Sequence, residues 1–331
     1  MMDWSDRHFR HFLRVLAPHA LLYTEMIVAQ AIVRGDRARL LEYDPSEHPL
    51  ALQLGGSEPA LLAAAARSGA ASGYDEINLN VGCPSDRVQN ASFGACLMAR
   101  PALVAECVAA MRAAVDLPVT VKCRIGIDDA DGYEFLEGFV DQVSAAGCRT
   151  FIVHARKAIL QGLSPRENRE IPPLQYEKVW RLKAARPQLE IVINGGIRTA
   201  AAAEAQWARV DGVMVGREAY HNPYAFAAMA RLAWPSAPAA PAPADVVARL
   251  RPYVERELAR GTRLHAITRH LLGLYAGRPG ARAWRRTLSE LSRREGADGR
   301  VLDSACRAAE GPRAGAPPAQ ALAVAGRAGP L

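Results

Sequence analysis

In the stretch INLNVGCP, residues 77–84, two amides and a thiol follow one another along a segment that alternates and then breaks. Side chains alternate faces along a strand, so Asn78 and Asn80 share one face and Leu79 takes the other. Gly-Cys-Pro then ends the strand and opens a loop, which sets Cys83 apart from the other five cysteines. Other strand-like segments end on chemistry as well. Gln53 closes PLALQL, Lys122 and Arg124 close VTVKCR, His154 closes TFIVH, Asn194-Gly195-Gly196 follows EIVI, and Gly216-Arg217 follows DGVMV. A ring of polar groups at successive strand ends describes a ligand site better than a set of satisfied core polar residues. The glycines in INGGIRT and VMVGRE each stand just before a helix, where free backbone N–H groups attract phosphate. Lys122 is then positioned to set the electronics of a bound ring system and Gln53 to hydrogen-bond its edge.

The elements that must carry these residues alternate regularly. Apolar strands are predicted at 49–54, 76–81, 118–123, 149–153, 190–193 and 211–215, with a shorter one near 20–23. Helices are predicted between them, at 57–72, 101–115, 132–146, 175–186 and 199–209. This alternation predicts a parallel sheet with crossover helices, an α/β fold, and its seven strands are one short of a (β/α)₈ TIM barrel. In such a barrel the strand C-termini line the active site, and phosphate commonly sits after strands 7 and 8. The chain opens directly on an amphipathic helix pattern, DWSDRHFRHFLRVL, so the first strand is expected to be missing and the natural start to lie upstream.

Residues 1–234 are read as the barrel and 235–244, PSAPAAPAPA, as a Pro/Ala linker. Helical patterns at 245–260, 263–276, 281–294 and 299–309 make a small helical domain, 245–309, and a disordered tail is expected over 310–331. The 331-residue chain carries a net charge of +7. Thirteen arginines, no lysine and six acidic residues lie between 245 and 300, so this segment holds the whole excess. It reads either as an arginine-rich surface or as a module that neutralises phosphates. The cysteines have no C-x-x-C spacing and no histidine pair completes a zinc pattern, so no metal site is signalled. With no run of about 18 apolar residues and a polar N-terminus, no membrane association is expected and the location is read as cytoplasmic.

The stretches LQLGGSEPA, YDEINLNVGCPSDRVQNASFGACLM, VTVKCRIGIDD, FIVHARKAILQGLSPRENREIPPL, INGGIR and DGVMVGREAYHNP resemble the tRNA-dihydrouridine synthases. HARK, SPRENREIPPL and ITRHLLGLYAGRPGARAWRRTLSE resemble the synthase A subfamily, and the likeness runs from Met1 to about residue 300. The resemblance implies an enzyme that uses FMN, recharged by NADPH, to reduce the C5=C6 bond of D-loop uridines in tRNA. The subfamily implies positions 20 and 20a; a monomer is expected. Met1, Gln53, Lys122, His154, Asn194, Gly195, Gly196, Gly216 and Arg217 match FMN-binding positions. Met1 aligns with the end of a family Ala-Pro-Met strand whose Ala and Pro this chain lacks, which is expected to leave part of the FMN site open.

Cys83 matches the catalytic proton donor, and Asn80 a position that contacts the RNA. Arg166 and Arg169 match tRNA contacts in the SPRENR loop, and Arg282 and Arg285 the corresponding pair in the helical domain. The role suits a thiol, whose unperturbed pKa of about 8.5 keeps its proton in place at neutral pH. Two other readings share parts of this pattern. A free-pyrimidine flavin oxidoreductase of the dihydroorotate dehydrogenase kind would not need the arginine-rich helices, and a truncated, non-catalytic tRNA-binding protein would bind RNA without holding flavin.

Overall fold

The computed structural model describes residues 1–85, 88 and 92–311. Its centre is a parallel sheet built from β1 (Leu22–Tyr23), β2 (Ile27–Val28), β3 (Leu50–Gly55), β4 (Glu76–Val81), β5 (Val119–Arg124), β6 (Thr150–His154), β7 (Glu190–Asn194) and β8 (Gly212–Met214). The order is β1-β3-β4-β5-β6-β7-β8, and β2 lies on the same edge of β3 as β1. β1 and β8 are the two edges, with no pairing between them among the described residues.

The single short strand expected near 20–23 is in fact two. Tyr23 pairs with Ala51 and Ile27 with Leu54, so four steps on one strand face three on the other. That extra residue makes a bulge. The Thr24 hydroxyl fills the gap by accepting the backbone N–H of Gln53 at 2.9 Å.

Each long strand is followed by a helix that runs back along the outside of the sheet: α4 (Pro59–Ala71), α5 (Pro101–Ala114), α6 (Tyr133–Ala145), α7 (Tyr176–Ala185) and α8 (Ala200–Trp207). Strand side chains sort by parity. Ile77, Leu79 and Val81 are fully buried on one face of β4, while Glu76, Asn78 and Asn80 share the other. This is the (β/α)-barrel type of sheet, followed by a helical region.

Ahead of it stand α1 (Arg7–Leu16), α2 (Ala29–Arg34) and α3 (Arg37–Leu40). Asp6 caps α1, accepting the N–H groups of His8 and Phe9. After the short α9 (Arg217–His221) and α10 (Pro223–Ala233), the chain crosses the Pro/Ala segment. The linker is two residues shorter than its composition suggests. Pro243 is the first residue of α11 (Pro243–Ala259), a position where its missing N–H costs nothing. The helix expected over 263–276 is cut to α12 (Leu264–Thr268). The turns that follow bring Gly273 against another segment, where a Cβ would lie 2.7 Å from the carbonyl oxygen of His221. α13 (Ala281–Leu291) and α14 (Arg300–Glu310) complete the chain as described. Glu310 is helical, and residues 312–331 of the expected tail lie outside the described residues.

The helical region leans on α1 through a charged seam. Asp6 meets Arg269 at 2.8 Å and His270 at 2.9 Å, and Arg7 meets Glu257 at 2.6 Å. His8 Nδ1 lies 2.7 Å from the Tyr253 hydroxyl. One continuous apolar cluster, from Phe9 and Phe12 to Tyr253 and Leu271, runs beneath these pairs.

Candidate active site

Inside the sheet a buried polar ladder climbs towards the strand C-termini. Glu76 Oε1 accepts hydrogen bonds from Tyr23 at 2.8 Å and Thr120 at 2.6 Å. Thr120 accepts from Asn78 Nδ2 at 2.8 Å, and Asn78 Oδ1 accepts from Gln53 Nε2 at 2.9 Å. Gln53 Oε1 in turn accepts from Asn80 Nδ2 at 2.8 Å. A buried polar group without a partner is costly, so this chain of partners fixes which way each amide faces.

The two amides of INLNVGCP therefore have different tasks. Asn78 is wholly buried and belongs to the ladder. Asn80 is half-buried at its top, and its Oδ1 accepts the N–H groups of both Gly82 and Cys83 at 3.0 Å. That Asx turn holds the cysteine at the mouth of the sheet. Cys83 is half-buried, with Sγ 3.6 Å from the Ser85 hydroxyl. Asn80 and Gln53 each donate one amide N–H within the ladder and carry a second.

Strand pairing brings the other strand-end residues together. Asn80 is in register with Lys122, Arg124 with His154, and His154 with Asn194. Lys122 Nζ donates to Asn194 Oδ1 at 3.2 Å, and Asn194 Nδ2 donates to the Met214 carbonyl at 2.8 Å. Burial, then the Arg124 charge, pulls the Lys122 ammonium down to about 8. Burial and the surrounding cations also hold His154 well below its ordinary range, so its imidazole is neutral at pH 7.

Beside His154 the backbone turns through Gly195 and Gly196, at φ 116° and 72°. A Cβ on Gly195 would lie 2.6 Å from His154 Cδ2, so only glycine lets the chain pass so close. The Tyr176 hydroxyl holds this turn by donating to the Gly195 carbonyl at 2.6 Å.

Gly216 and Arg217 stand at the next strand end. A Cβ on Gly216 would lie 3.4 Å from Met1 Sδ, so Met1 reaches the same mouth. Its amine, pushed down to about 6 mainly by burial, also feels Lys122 and Arg169. Arg217 donates to the Glu170 carboxylate at 2.8 Å and to the Arg169 carbonyl at 3.1 Å.

Arg166 is exposed and Arg169 half-buried in the SPRENR loop. Arg169 Nε is buried without a partner among the described residues, as is Arg156 Nε. Arg156, within HARK, and Arg198, within INGGIR, are not among the residues assigned above. Burial lowers Arg156, with Arg217 and Arg198 contributing, so the three form one cationic group beside the glycine turn. The signal was present, in that each arginine follows a strand-end residue by two to four positions.

Arg282 and Arg285 are exposed on α13. The structure separates the arginines of the helical region into two kinds. Arg251, Arg256, Arg260, Arg269 and Arg300 are paired with acids. Arg282, Arg285 and Arg286 are exposed and make no ion pair among the described residues.

Residues 1–310 match the dihydrouridine synthase (Dus) family. The chain belongs to the dihydrouridine synthases. A relative from Synechocystis, named tRNA-dihydrouridine(20/20a) synthase, is 58% identical over 312 residues, covering 94% of this chain and 93% of its own. Relatives of the same name from Escherichia coli K12 and Shewanella oneidensis are each 58% identical. They cover 93% and 90% of this chain, and 89% and 88% of their own.

Dihydrouridine synthases are flavin-dependent oxidoreductases that reduce uridines in tRNA. The mouth described above fits such a group. It has a turn of two positive-φ glycines, two buried guanidinium N–H groups without partners among the described residues, and a lysine and an amide with donors to spare.

Proposed function

We propose that this chain reduces the C5=C6 bond of D-loop uridines in tRNA, at positions 20 and 20a, with FMN as its flavin and NADPH as its reductant. The observation that carries the reading is the Asn80 turn, which holds a half-exposed thiol over the mouth where Lys122, His154 and Gly195 converge.

The phosphate end of FMN is assigned to Gly195, Gly196, Gly216 and Arg217, and its ring edge to Gln53, Lys122, His154 and Asn194, with Met1 beside Gly216. When bound and reduced, the flavin supplies the hydride that one carbon of the pyrimidine double bond receives. The neighbouring carbon then needs a proton from the opposite face, and Cys83 Sγ is the donor in this reading. Asn80 keeps that sulfur in place through its two backbone hydrogen bonds and offers its remaining N–H to the base or ribose. The cation of Lys122 stabilises negative charge that gathers on the ring system.

Base-modifying enzymes commonly extrude their target nucleotide, so the substrate must be gripped from outside the mouth. Arg166 and Arg169 grip close to it, and Arg282 and Arg285 farther away. One chain carries all of these groups, so we assign the reaction to a monomer in the cytoplasm, where tRNA is found. Among the described residues no helix is long and apolar enough to cross a membrane. Barrel residues 1–234, a linker and helices from 243 to 310 form the working division of the chain.

Incubating the purified protein with FMN, NADPH and an unmodified tRNA transcript tests the reading. Mass spectrometry is expected to find dihydrouridine at positions 20 and 20a. Reduction of free uracil, with none of the transcript, would favour a free-pyrimidine enzyme.

The unpaired arginines lead to a second expectation. Each phosphate contact releases bound counterions, so log K falls with log salt by about 0.7–0.9 per contact. Replacing both Arg282 and Arg285 with alanine is expected to weaken tRNA binding and flatten that slope by about one to two, with flavin content unchanged. An unaltered slope across the salt titration would move the RNA off this helix.

A further inference from the structure

Arg124, the last residue of β5, is the most enclosed cation at the mouth, only 3% exposed. It has no carboxylate partner among the described residues, unlike buried Arg10, which meets Glu47 at 2.6 Å. Three backbone carbonyls hold it instead. Arg124 Nε donates to Gly82 at 3.1 Å, and Nη1 donates to Lys157 at 3.2 Å and Asn168 at 2.9 Å. Burying a charge against neutral acceptors costs free energy, and here burial lowers the guanidinium to about 10, so it remains charged at pH 7. A lysine would carry the charge but lacks the planar fork that reaches several acceptors at once.

The carbonyls of Gly82 and Asn168 belong to two segments far apart in sequence, and Lys157 stands just ahead of the second. Gly82 adjoins Cys83, within the turn that Asn80 holds. Asn168 is the hub of the other segment, residues 159–171. Its Oδ1 accepts the Ile159 N–H at 2.7 Å, and its Nδ2 donates to the carbonyls of Ile159 at 2.9 Å and Leu163 at 3.1 Å. The same segment presents Arg166, half-buried Arg169 and Ile171, which is 60% exposed although its own N–H is bonded to Glu167 at 2.8 Å. From the far side, Arg156 holds the carbonyls of Glu170 and Pro172, and Arg217 that of Arg169. The loop is therefore a braced platform, and Arg124 is the brace that also reaches the cysteine turn.

We propose that Arg124 is a positioning residue that registers the Cys83 turn against the 159–171 platform, so that RNA seated on the platform fixes the thiol at its target carbon. This rests on the reading of Cys83 as proton donor and of the platform as an RNA contact. It adds a residue that touches neither RNA nor flavin and acts through two main-chain segments.

The test compares the wild-type chain with Arg124→Lys and Arg124→Met, using amide hydrogen exchange and single-turnover kinetics. Exchange is expected to speed at least tenfold in both segments together, at the Gly82 and Cys83 amides and at those of Ile159, Asn168 and Ile171. Flavin content and the rate of NADPH-driven flavin bleaching are expected to stay at wild-type levels. The single-turnover rate at saturating tRNA should fall at least tenfold, while the tRNA concentration giving half the maximal rate changes by less than threefold. Adding Arg124→Lys to Cys83→Ala should lower the residual rate no further, because the brace acts through the thiol.

Faster exchange in one segment only, or an equal loss of rate in the Cys83→Ala background, would overturn the proposal. Should Arg124→Met not fold, Arg124→Lys carries every arm. If the wild-type protein made no dihydrouridine, the functional reading would fail, and the exchange measurement would still decide whether the brace exists.

Discussion

Cys83→Ala is expected to slow dihydrouridine formation about 10²- to 10⁴-fold, the range a positioned general acid contributes. Flavin content and NADPH oxidation are expected to be unchanged. The separation follows from what the sulfur touches. Its one side-chain partner among the described residues is the Ser85 hydroxyl at 3.6 Å, whereas the residues assigned to the cofactor are held by one another: Lys122 by Asn194, and Gln53 by Asn78 and Asn80. Removing the sulfur takes away none of those bonds. The Asn80 turn also survives, because it is made to the backbone N–H groups of Gly82 and Cys83, which alanine keeps. Hydride delivery without a proton leaves a carbanion-like centre beside a carbonyl, and product fails to accumulate. Flavin absorbance, NADPH-driven bleaching and dihydrouridine yield, read on the same samples, check the three steps separately. A Cys83→Ala protein working at near the normal rate would mean that the proton has another source.

The residues at the strand ends were readable in advance because parity and punctuation are local signals. Alternation along INLNV places Asn78 and Asn80 on one face, and Gly-Cys-Pro marks the turn, whatever the rest of the chain does. Gln53, Lys122, His154 and Asn194 followed from the same rule, and the sheet register brings them together. Parity could not say that Asn78 and Asn80 do different work. That depends on depth, with Asn78 bonded to Thr120 below it and Asn80 to a loop above.

What escaped the sequence depends on partners far along the chain. Arg124 was visible as a strand end, but its three acceptors lie 33 to 44 residues away, and no spacing rule anticipates them. The split of the first strand hangs on one Thr24 hydroxyl replacing a ladder bond. The helix expected over 263–276 ends at Thr268, and the turns after it pack Gly273 against the backbone of Tyr220 and His221, a long-range contact that local spacing does not signal. The net positive charge of 245–300 was plain, but not which arginines are free. Pairing of Arg256 with Asp44 and of Arg269 with Asp6 spends part of the excess on fastening helices to the barrel.

Gly195→Ala is expected to cost the protein most of its flavin, weakening FMN affinity by about 10- to 100-fold. Two penalties combine at this position. The backbone stands at φ 116°, a region almost closed to residues with a side chain, which costs on the order of 1–3 kcal/mol. The new methyl would also lie 2.6 Å from His154 Cδ2 and 2.9 Å from its Nε2, with Leu174 Cδ2 at 3.2 Å on the other side. His154 is buried and cannot swing away into solvent, so either the imidazole or the glycine turn must move. Both are assigned to the same cofactor, one to its ring and the other to its phosphate. About 1.4 kcal/mol lost from binding is already tenfold in affinity. Gly138→Ala is the matched control: it lies within α6 with nothing inside 4 Å of the added carbon, so alanine is expected to leave flavin binding unchanged and the helix slightly firmer. Flavin per chain after purification, and titration of the apoprotein with FMN, distinguish the two variants. A Gly195→Ala protein that binds FMN as tightly as the wild type would show that the turn beside His154 does not hold the phosphate, and that this end of the cofactor must be sought among other donors of the mouth.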